Sequence, residues 1–199
     1  MGKLIVTNIV SLDGCYEGPG GNVMALPMDQ SFDAYSAERL QSADMLLLGR
    51  TTYQLFKGFW PQMADHPDAT PVHRQISRRE NAINKVVVSD TLTADQTDPW
   101  QDTTTIVGRG KAHDYVAELR NRPGRDILVF GSRTVWNDLL TAGLVDELHF
   151  IVCAVVLGAG TPAFAATPAA PLRLLGTHTW DDSHNVLIRY AAPTDTHPS

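Results

Sequence analysis

The chain has 199 residues, of which 43% are hydrophobic and 19% are charged, and its formal net charge is −6. These values are typical of one globular domain with a full core, and they exclude a disordered or low-complexity chain. The negative charge argues against nucleic-acid binding, because a phosphate backbone requires a basic surface. No apolar stretch approaches the roughly 18 residues that span a bilayer, so no membrane contact is expected.

The ends of the chain and its cysteines favour a cytoplasmic protein. The N-terminal run Met1–Val6 is too short for the apolar part of a signal peptide. Cys15 and Cys153 are far apart, match no metal-ligand spacing, and are interpreted as reduced thiols. The histidines also lack ligand spacing, so no metal site is predicted. We expect one domain over residues 1–192 and a flexible polar tail over 193–199.

Short apolar runs predict the strands, and amphipathic patterns between them predict helices. The runs contain little charge, as strands do when both faces of a sheet are covered. They are Leu4–Val10, Met45–Leu48, Lys85–Val88, Thr104–Val107, Ile127–Phe130, Glu147–Val156, Leu172–Thr179 and Asn185–Tyr190. The helical faces lie within Phe32–Ala43, Ala112–Leu119 and Val135–Ala142, the last ending at Gly143.

The order of these elements predicts an α/β fold. Alternating strands and helices indicate a parallel sheet with right-handed crossovers. The last three strand runs have no helix between them, which predicts antiparallel strands at the C-terminal end of the sheet. We therefore expect one mixed sheet, mostly parallel, with helices on both faces. Ligands bind such sheets beyond the carboxyl ends of the strands.

Three junctions between a strand and a helix have the composition of anion sites. In the first, Gly49 allows close approach of a ligand, Arg50 adds positive charge, and Thr51 or Thr52 is predicted to cap the next helix. Phe56, Phe59 and Trp60 follow that helix and are expected either to pack the core or to stack on a planar substrate. The segment Gln62–Pro71 is rich in Pro, Asp and Ala and is predicted to form a surface loop over the cleft.

The second junction passes from Gly131 to a capping Ser132 and then to Arg133, and the third is Gly108–Lys111. Each junction alone is also typical of an ordinary tight turn. Three of them in one small domain favour a dinucleotide. The Rossmann pattern of three glycines is absent, because His113 stands where the last glycine would be.

Two further positions leave alternatives open. Ser89 follows a strand, where its hydroxyl either contacts an adenosine phosphate or forms an ordinary turn. Asp13 follows the first strand and is either a ligand-facing carboxylate or an Asx-turn residue before Gly14.

Together these motifs resemble the dihydrofolate reductase superfamily, and in particular the branch that contains the reductase domain of bacterial riboflavin biosynthesis. The Gly-Arg-x-Thr-Tyr block is the most specific element, and the others occur in the order of that family over about residues 3–190. The matching segments are Ser11–Gly14, Ala43–Tyr53, Val88–Ser89, Phe130–Ser132, Leu144–Leu148 and Gly158–Pro162.

The resemblance implies NADPH as the hydride donor and a small-molecule substrate. By that analogy the cofactor phosphates bind a set of junction residues, Ser89 lies near the adenosine 2′-phosphate, and Asp13 lies near the nicotinamide. The phosphate-binding set is Gly49, Arg50, Thr51, Thr52, Gly131, Ser132 and Arg133. Members of the family often pair through their C-terminal strands, so a homodimer is expected, with the run Phe150–Leu157 as a possible interface.

A second carboxylate, Asp33, has the spacing ahead of Gly49 that the family uses to contact its substrate. Beside an apolar stripe, Asp33 would be partly desolvated and suited to proton delivery; otherwise it is a surface acid at a helix start. Met24–Met28 stands in place of the tryptophan-containing substrate motif, which argues against dihydrofolate, and no zinc deaminase motif occurs. The expected function is an NADPH-dependent reductase of a small planar heterocycle of the pterin, pyrimidine or flavin type, with Asp33, Asp13 or a water supplying the proton. The alternative is a non-catalytic nucleotide- or ligand-binding protein on the same fold.

Overall fold

The computed structural model describes residues 2–193. Its strands are β1 (Leu4–Ser11), β2 (Cys15–Glu17), β3 (Ala43–Gly49), β4 (Asn84–Val88), β5 (Thr104–Val107), β6 (Asp126–Phe130), β7 (Glu147–Cys153), β8 (Thr161–Pro162), β9 (Arg173–Thr179) and β10 (Val186–Ala191). Its α-helices are α1 (Gln30–Ser42), α2 (Arg50–Met63), α3 (Pro71–Ala82), α4 (Ala112–Asn121) and α5 (Arg133–Thr141). Apart from Pro193, the predicted tail lies outside the described residues.

One eight-stranded sheet organises the domain, in the order β5-β4-β3-β6-β1-β7-β10-β9. The strands from β5 to β7 are mutually parallel. Strand β10 is antiparallel to β7, and β9 is antiparallel to β10. The mixed sheet with an antiparallel C-terminal end is therefore confirmed. The short strands β2 and β8 pair with each other beside this sheet.

The apolar side chains of the strands alternate between two helical layers. Leu4 and Val6 of β1 pack in the same core cluster as Leu119 of α4 and Leu139 of α5. Ile5, on the other face, belongs to the cluster that contains residues of α1, α2 and α3. Because side chains alternate across a strand, β1 is buried on both sides, and helices cover both faces as predicted.

Two helices differ from the sequence expectation. Helix α2 continues to Met63, so Phe56, Phe59 and Trp60 lie within it rather than after it. Helix α3 was not predicted, and it begins at Pro71, where a surface loop was expected to end. Its buried residues include Ser77 and Glu80, so its inward face lacks the apolar periodicity that identifies a helix in sequence.

Only part of the apolar run Phe150–Leu157 lies on the surface of the domain. Its first part belongs to β7, which lies inside the sheet between β1 and β10. Phe150 and Ile151 are buried in the core of the same chain. This part of the run is apolar because a strand covered on both faces must be so, and pairing through the partly exposed residues 154–157 stays a prediction. Cys15 and Cys153 are both buried without a disulfide, as expected.

Candidate functional site

The predicted site residues follow the carboxyl ends of parallel strands, which meet at one edge of the sheet. We call this the carboxyl edge. Gly49 ends β3, Ser89 follows β4, Gly131 follows β6 and Asp13 follows β1. In open α/β sheets this edge carries the ligand, because loop backbone and helix N-termini collect there. The topology therefore brings four separate segments of the chain to one side of the domain.

The first two junctions are in direct contact. The backbone N–H of Gly49 donates to Ser132 Oγ at 2.9 Å, and the N–H of Ser132 donates to Thr52 Oγ1 at 2.9 Å. Neither hydroxyl caps its own helix, so capping by Thr52 and by Ser132 was wrong, as was the alternative, Thr51. The hydroxyls instead bond N–H groups of the neighbouring junction. The N-termini of α2 and α5 thus have no side-chain cap and offer N–H groups to an anion.

Gly131 is required where the two junctions meet. Its φ of 53° is left-handed, and a Cβ built there would lie 2.9 Å from Thr52 Oγ1 and 3.1 Å from Tyr16 Oη. Tyr16 was not anticipated, since a three-residue strand gives no periodic signal. Burial raises the pKa of its phenol, with Thr52 and the backbone of Arg133 acting in the opposite direction.

The two arginines at these junctions have different surroundings. Arg50 is directed along the edge, and its Nη1 donates to Thr91 Oγ1 at 2.6 Å, just beyond β4. Arg133 is directed to β8 beside β2, with Nε donating to the carbonyl of Pro162 at 2.5 Å, and its charge acts to lower the pKa of Tyr16. Arg50 therefore remains beside the end of β4, whereas the side chain of Arg133 lies beside the β2–β8 pair.

Ser89 and the third junction lie at the β4–β5 end of the same edge. The hydroxyl of Ser89 accepts from the N–H groups of Thr91 and Leu92 at 3.1 and 3.0 Å, which is the geometry of a turn. The N–H of Arg109 donates to Asp90 Oδ1 at 2.9 Å. These contacts support the turn interpretation of Ser89, and its contact with an adenosine phosphate stays a prediction.

Asp13 joins the loop after β1 to the loop after β7. Its carboxylate accepts from Ser11 Oγ at 2.6 Å and from the N–H groups of Leu157 and Gly158 at 3.1 and 2.8 Å. These bonds, that from Ser11 first, lower the pKa of Asp13 to about 2. The carboxylate is not an Asx-turn acceptor for the residues that directly follow it, so that alternative was wrong. It is an anion at neutral pH.

Asp33 lies in the first turn of α1 and is hydrogen-bonded to His73 of α3, with 2.9 Å between Oδ2 and Nε2. Its side chain is only 20% exposed, which is not the open surface position of the alternative interpretation. Burial raises the pKa of Asp33, and His73 partly offsets that effect. His73 was not identified in the sequence, because nothing local indicates that α3 lies against α1.

Two other features of residues 2–193 bear on the function. None of the helices there has the length and apolar composition needed to cross a membrane. The same residues contain no cluster of three or more His, Cys, Asp or Glu side chains that could hold a metal ion.

Comparison with known proteins identifies the family. The family model described as the RibD C-terminal domain matches residues 2–188. The uncharacterized protein YyaP of Bacillus subtilis (strain 168) is 28% identical over 179 residues, which cover 89% of each chain.

Solved structures share the fold at low sequence identity. A candidate riboflavin biosynthesis protein from Shewanella sp. PV-4 has a TM-score of 0.67 at 22% identity, covering 96% of this chain and 99% of that one. A pyrimidine reductase-like protein from Corynebacterium diphtheriae has a TM-score of 0.59 at 15% identity, covering 98% and 93%.

A third structure is longer than this chain. It is the Thermotoga maritima diaminohydroxyphosphoribosylaminopyrimidine deaminase/5-amino-6-(5-phosphoribosylamino)uracil reductase, with a TM-score of 0.64 at 12% identity. The match covers 96% of this chain but 57% of that protein. The family match over nearly the whole sequence, with this shared fold, leads to one conclusion: the chain belongs to the RibD C-terminal domain family.

Proposed function

We propose that the chain is an NADPH-dependent reductase that transfers hydride to a small planar heterocycle of the pterin, pyrimidine or flavin type. The observation that carries the proposal is the contact between the two junctions, in which Gly49 and Ser132 are hydrogen-bonded at 2.9 Å. The N-termini of α2 and α5 thereby lie side by side at the carboxyl edge, and the side chain of Arg50 extends from them towards the end of β4. The pyrimidine reductase names of two structural relatives support the same reaction class.

The residues present fit a dinucleotide. A pyrophosphate suits the uncapped N-termini of α2 and α5, because their backbone N–H groups carry partial positive charge. Gly131 leaves no side chain between these helices and a ligand. Arg50, held near Thr91 and Ser89 at the end of β4, suits the additional phosphate that distinguishes NADPH from NADH.

NADPH supplies the hydride when bound, and the protein contributes position and electrostatics. The C=N or C=O bond of the substrate ring receives the hydride at carbon and a proton at the heteroatom. Asp33 is the better proton donor of the two carboxylates, because burial raises its pKa whereas hydrogen bonds lower that of Asp13. Asp13 is ionised and holds the loops after β1 and β7 together, so its role is to position the substrate.

The test is NADPH oxidation, followed at its near-ultraviolet absorbance with pterins, pyrimidines and flavins. Arg50→Ala should weaken the binding of NADPH far more than that of NADH, because the guanidinium is expected to pair with the additional phosphate of NADPH. Arg122→Ala is the matched control, because Arg122 is paired with Glu118 on the surface of α4. An equal loss for both cofactors in Arg50→Ala would count against this assignment.

The second candidate is a protein that binds a nucleotide or another ligand without turnover. It is favoured by the fact that both candidate acids are already hydrogen-bonded within the chain. Quenching of tryptophan fluorescence by NADPH, with no oxidation by any ring tested, would support it over the reductase.

The expected homodimer remains a proposal, now through the edge strand β9. Leu174 and Leu175 there are 54% and 37% exposed, and a bare edge offers unpaired backbone groups to a second copy. Light scattering should give the mass of two chains, and Leu174→Lys should shift it towards one.

A further inference from the structure

Positive charge divides the carboxyl edge into two halves. The junctions after β3, β5 and β6 carry Arg50, Arg109, Lys111 and Arg133. In contrast, no Lys or Arg occurs from residue 4 to 38 or from residue 134 to 172. Those two stretches contain every residue that follows β1 and β7 at this edge. We call the loops over residues 12–29 and 154–160 the substrate half, because the proposed cofactor phosphates occupy the cationic half.

The substrate half carries negative charge instead. Asp13 is ionised, as its pKa of about 2 requires. Burial alone would raise the pKa of Asp29, but hydrogen bonds from Ser183 and Ser31 bring it below its usual range. Glu17 adds a third carboxylate, which accepts from Thr161 Oγ1 at 2.8 Å. An anionic group bound here would meet fixed like charges, and neither loop contains a Lys or Arg to offset them.

Exposed apolar side chains occupy the same loops. Leu12, Met24 and Val156 are 66%, 77% and 67% exposed. The N–H of Leu12 donates to the carbonyl of Val155 at 2.8 Å, which joins the loops after β1 and β7. Apolar surface of this kind suits contact with a flat ring, because small-molecule sites are mostly apolar with a few polar groups that orient the ligand.

The arginines nearest in sequence to these loops, and those on the neighbouring helices and strands, make their contacts with other groups of the protein. Arg133 Nε donates to Pro162, and Arg74 donates to the carbonyls of His66 and Pro67. Arg39 lies over the ring of Tyr35, 5.5 Å from its centroid. Arg189 lies opposite His149 in the middle of β7, well away from the carboxyl edge.

We propose that the substrate of this reductase is a neutral or cationic planar heterocycle that carries neither phosphate nor carboxylate. This inference rests on the proposed function and narrows its substrate class. It sets the chain apart from the Thermotoga maritima protein, which is named for a phosphoribosylated uracil.

Matched pairs of rings test the inference. One pair is 6-methyl-7,8-dihydropterin and 7,8-dihydrofolate, which share a reducible ring and differ in the carboxylate tail. The other is riboflavin and flavin mononucleotide, which differ in a phosphate. At saturating NADPH, and for each pair whose members the protein reduces, kcat/KM should be at least about tenfold higher for the member without the carboxylate or phosphate. An equal or higher kcat/KM for the anionic member overturns the inference and leaves the reductase proposal intact.

A charge introduced into the substrate half gives a second readout. Met24→Lys should lower the ratio of kcat/KM for the neutral member to kcat/KM for the anionic member by about threefold or more, because the new lysine attracts the anion. Gln41→Lys, at the other end of α1, is the control and should leave the ratio as it is. An unchanged ratio in Met24→Lys counts against the inference.

Absence of NADPH oxidation with all four compounds would count against the reductase itself. Binding of the same pairs in the presence of NADP⁺, followed by tryptophan fluorescence, then tests the inference alone. Tighter binding of the neutral members supports it. Equal or tighter binding of the anionic members, or no binding by any ring, overturns it.

Discussion

Ser132 and Gly49 are 83 positions apart in the chain, yet the side-chain oxygen of Ser132 accepts the backbone N–H of Gly49 at 2.9 Å. The N–H of Ser132 is in turn bonded to Thr52. Each junction thus completes the hydrogen bonds of the other, so the two form one site rather than two. Changes to these bonds should affect stability and cofactor binding together.

Thr52→Val tests this coupling, because valine has nearly the shape of threonine but no hydroxyl. The N–H of Ser132 would lose its acceptor, which costs about 1–3 kcal/mol of unfolding free energy for a buried donor. The Kd for NADPH should rise as the α5 N-terminus shifts. Urea unfolding and fluorescence titration measure the two effects. Thr52→Ser keeps the hydroxyl and is the control; an equal loss in both variants would contradict the prediction.

Gly131→Ala should be among the most damaging single-methyl additions in the chain. Its left-handed φ strains any L side chain, and the new Cβ would lie 2.9 Å from Thr52 Oγ1. Together these should lower the unfolding free energy by more than about 2 kcal/mol. Gly110→Ala is the matched control, since nothing lies within 4 Å of a Cβ at that position. Similar thermal midpoints for the two variants would be inconsistent with this account.

The pH dependence of turnover should report Asp33. Burial raises its pKa, so it keeps its proton to higher pH than an ordinary carboxyl, and kcat should fall as pH rises through that raised pKa. Asp33→Asn should lower kcat by about 10²-fold or more and remove this limb of the profile. Steady-state kinetics across the pH range provide the measurement.

Asp13→Asn is the comparison for that experiment. Its carboxylate is ionised at every working pH, so the shape of the pH profile should persist. Folding lowers the pKa of Asp13 from 3.8 to about 2, so the ionised carboxylate stabilises the folded state above pH 3.8. That stabilisation is lost as the pH falls from 3.8 towards 2. The variant should therefore be less stable than the parent at neutral pH, by a margin that narrows in acid. If Asp13→Asn removed the fall of kcat at high pH and Asp33→Asn did not, Asp13 would be the proton donor and Asp33 the positioning residue.

Glu80 and Lys85 are neighbouring buried groups away from the carboxyl edge, and their titration makes stability depend on pH. Burial raises the pKa of Glu80 from 4.5 to about 8 and lowers that of Lys85 from 10.5 to about 8. Between 4.5 and 8 the folded state binds the extra proton, so stability falls as pH rises through this window. Above 8 the unfolded state binds more protons at Lys85, so stability rises again towards 10.5.

Glu80→Gln should remove the fall between those two pH values, because glutamine keeps the volume and does not ionise. Urea midpoints measured from about pH 5 to pH 8 would show a flatter curve for the variant than for the parent. Glu118→Gln, at an exposed site, is the control and should leave the curve unchanged. A parent curve that is already flat would show that the pair does not titrate as described.

Local patterns were sufficient for most of the fold. The strand β1 reads Leu-Ile-Val-Thr-Asn-Ile-Val-Ser, and such a run with little charge is recognised because both its faces are covered. Helix α3 was missed for the complementary reason. Its inward face includes Ser77, which donates to the carbonyl of Trp60 at 2.5 Å, and such a polar contact leaves no periodic apolar signal.

The sequence alone determined which residues are available at the candidate site. Glycines and hydroxyls directly after apolar strands mark Gly49, Gly131 and Ser132, because a parallel sheet places all such positions at one edge. The same reasoning cannot show which partner each hydroxyl bonds, since local spacing favours its own helix.

Only the tertiary structure decided those partners. Ser132 bonds Gly49, Asp13 joins the loop after β7, and Asp33 meets His73 of α3. Each contact joins segments separated by tens of residues, and each sets whether a side chain is neutral, ionised or already bonded. The physical reason is that hydrogen bonds and pKa values respond to distances of a few ångströms, which the chain defines only after its strands have paired.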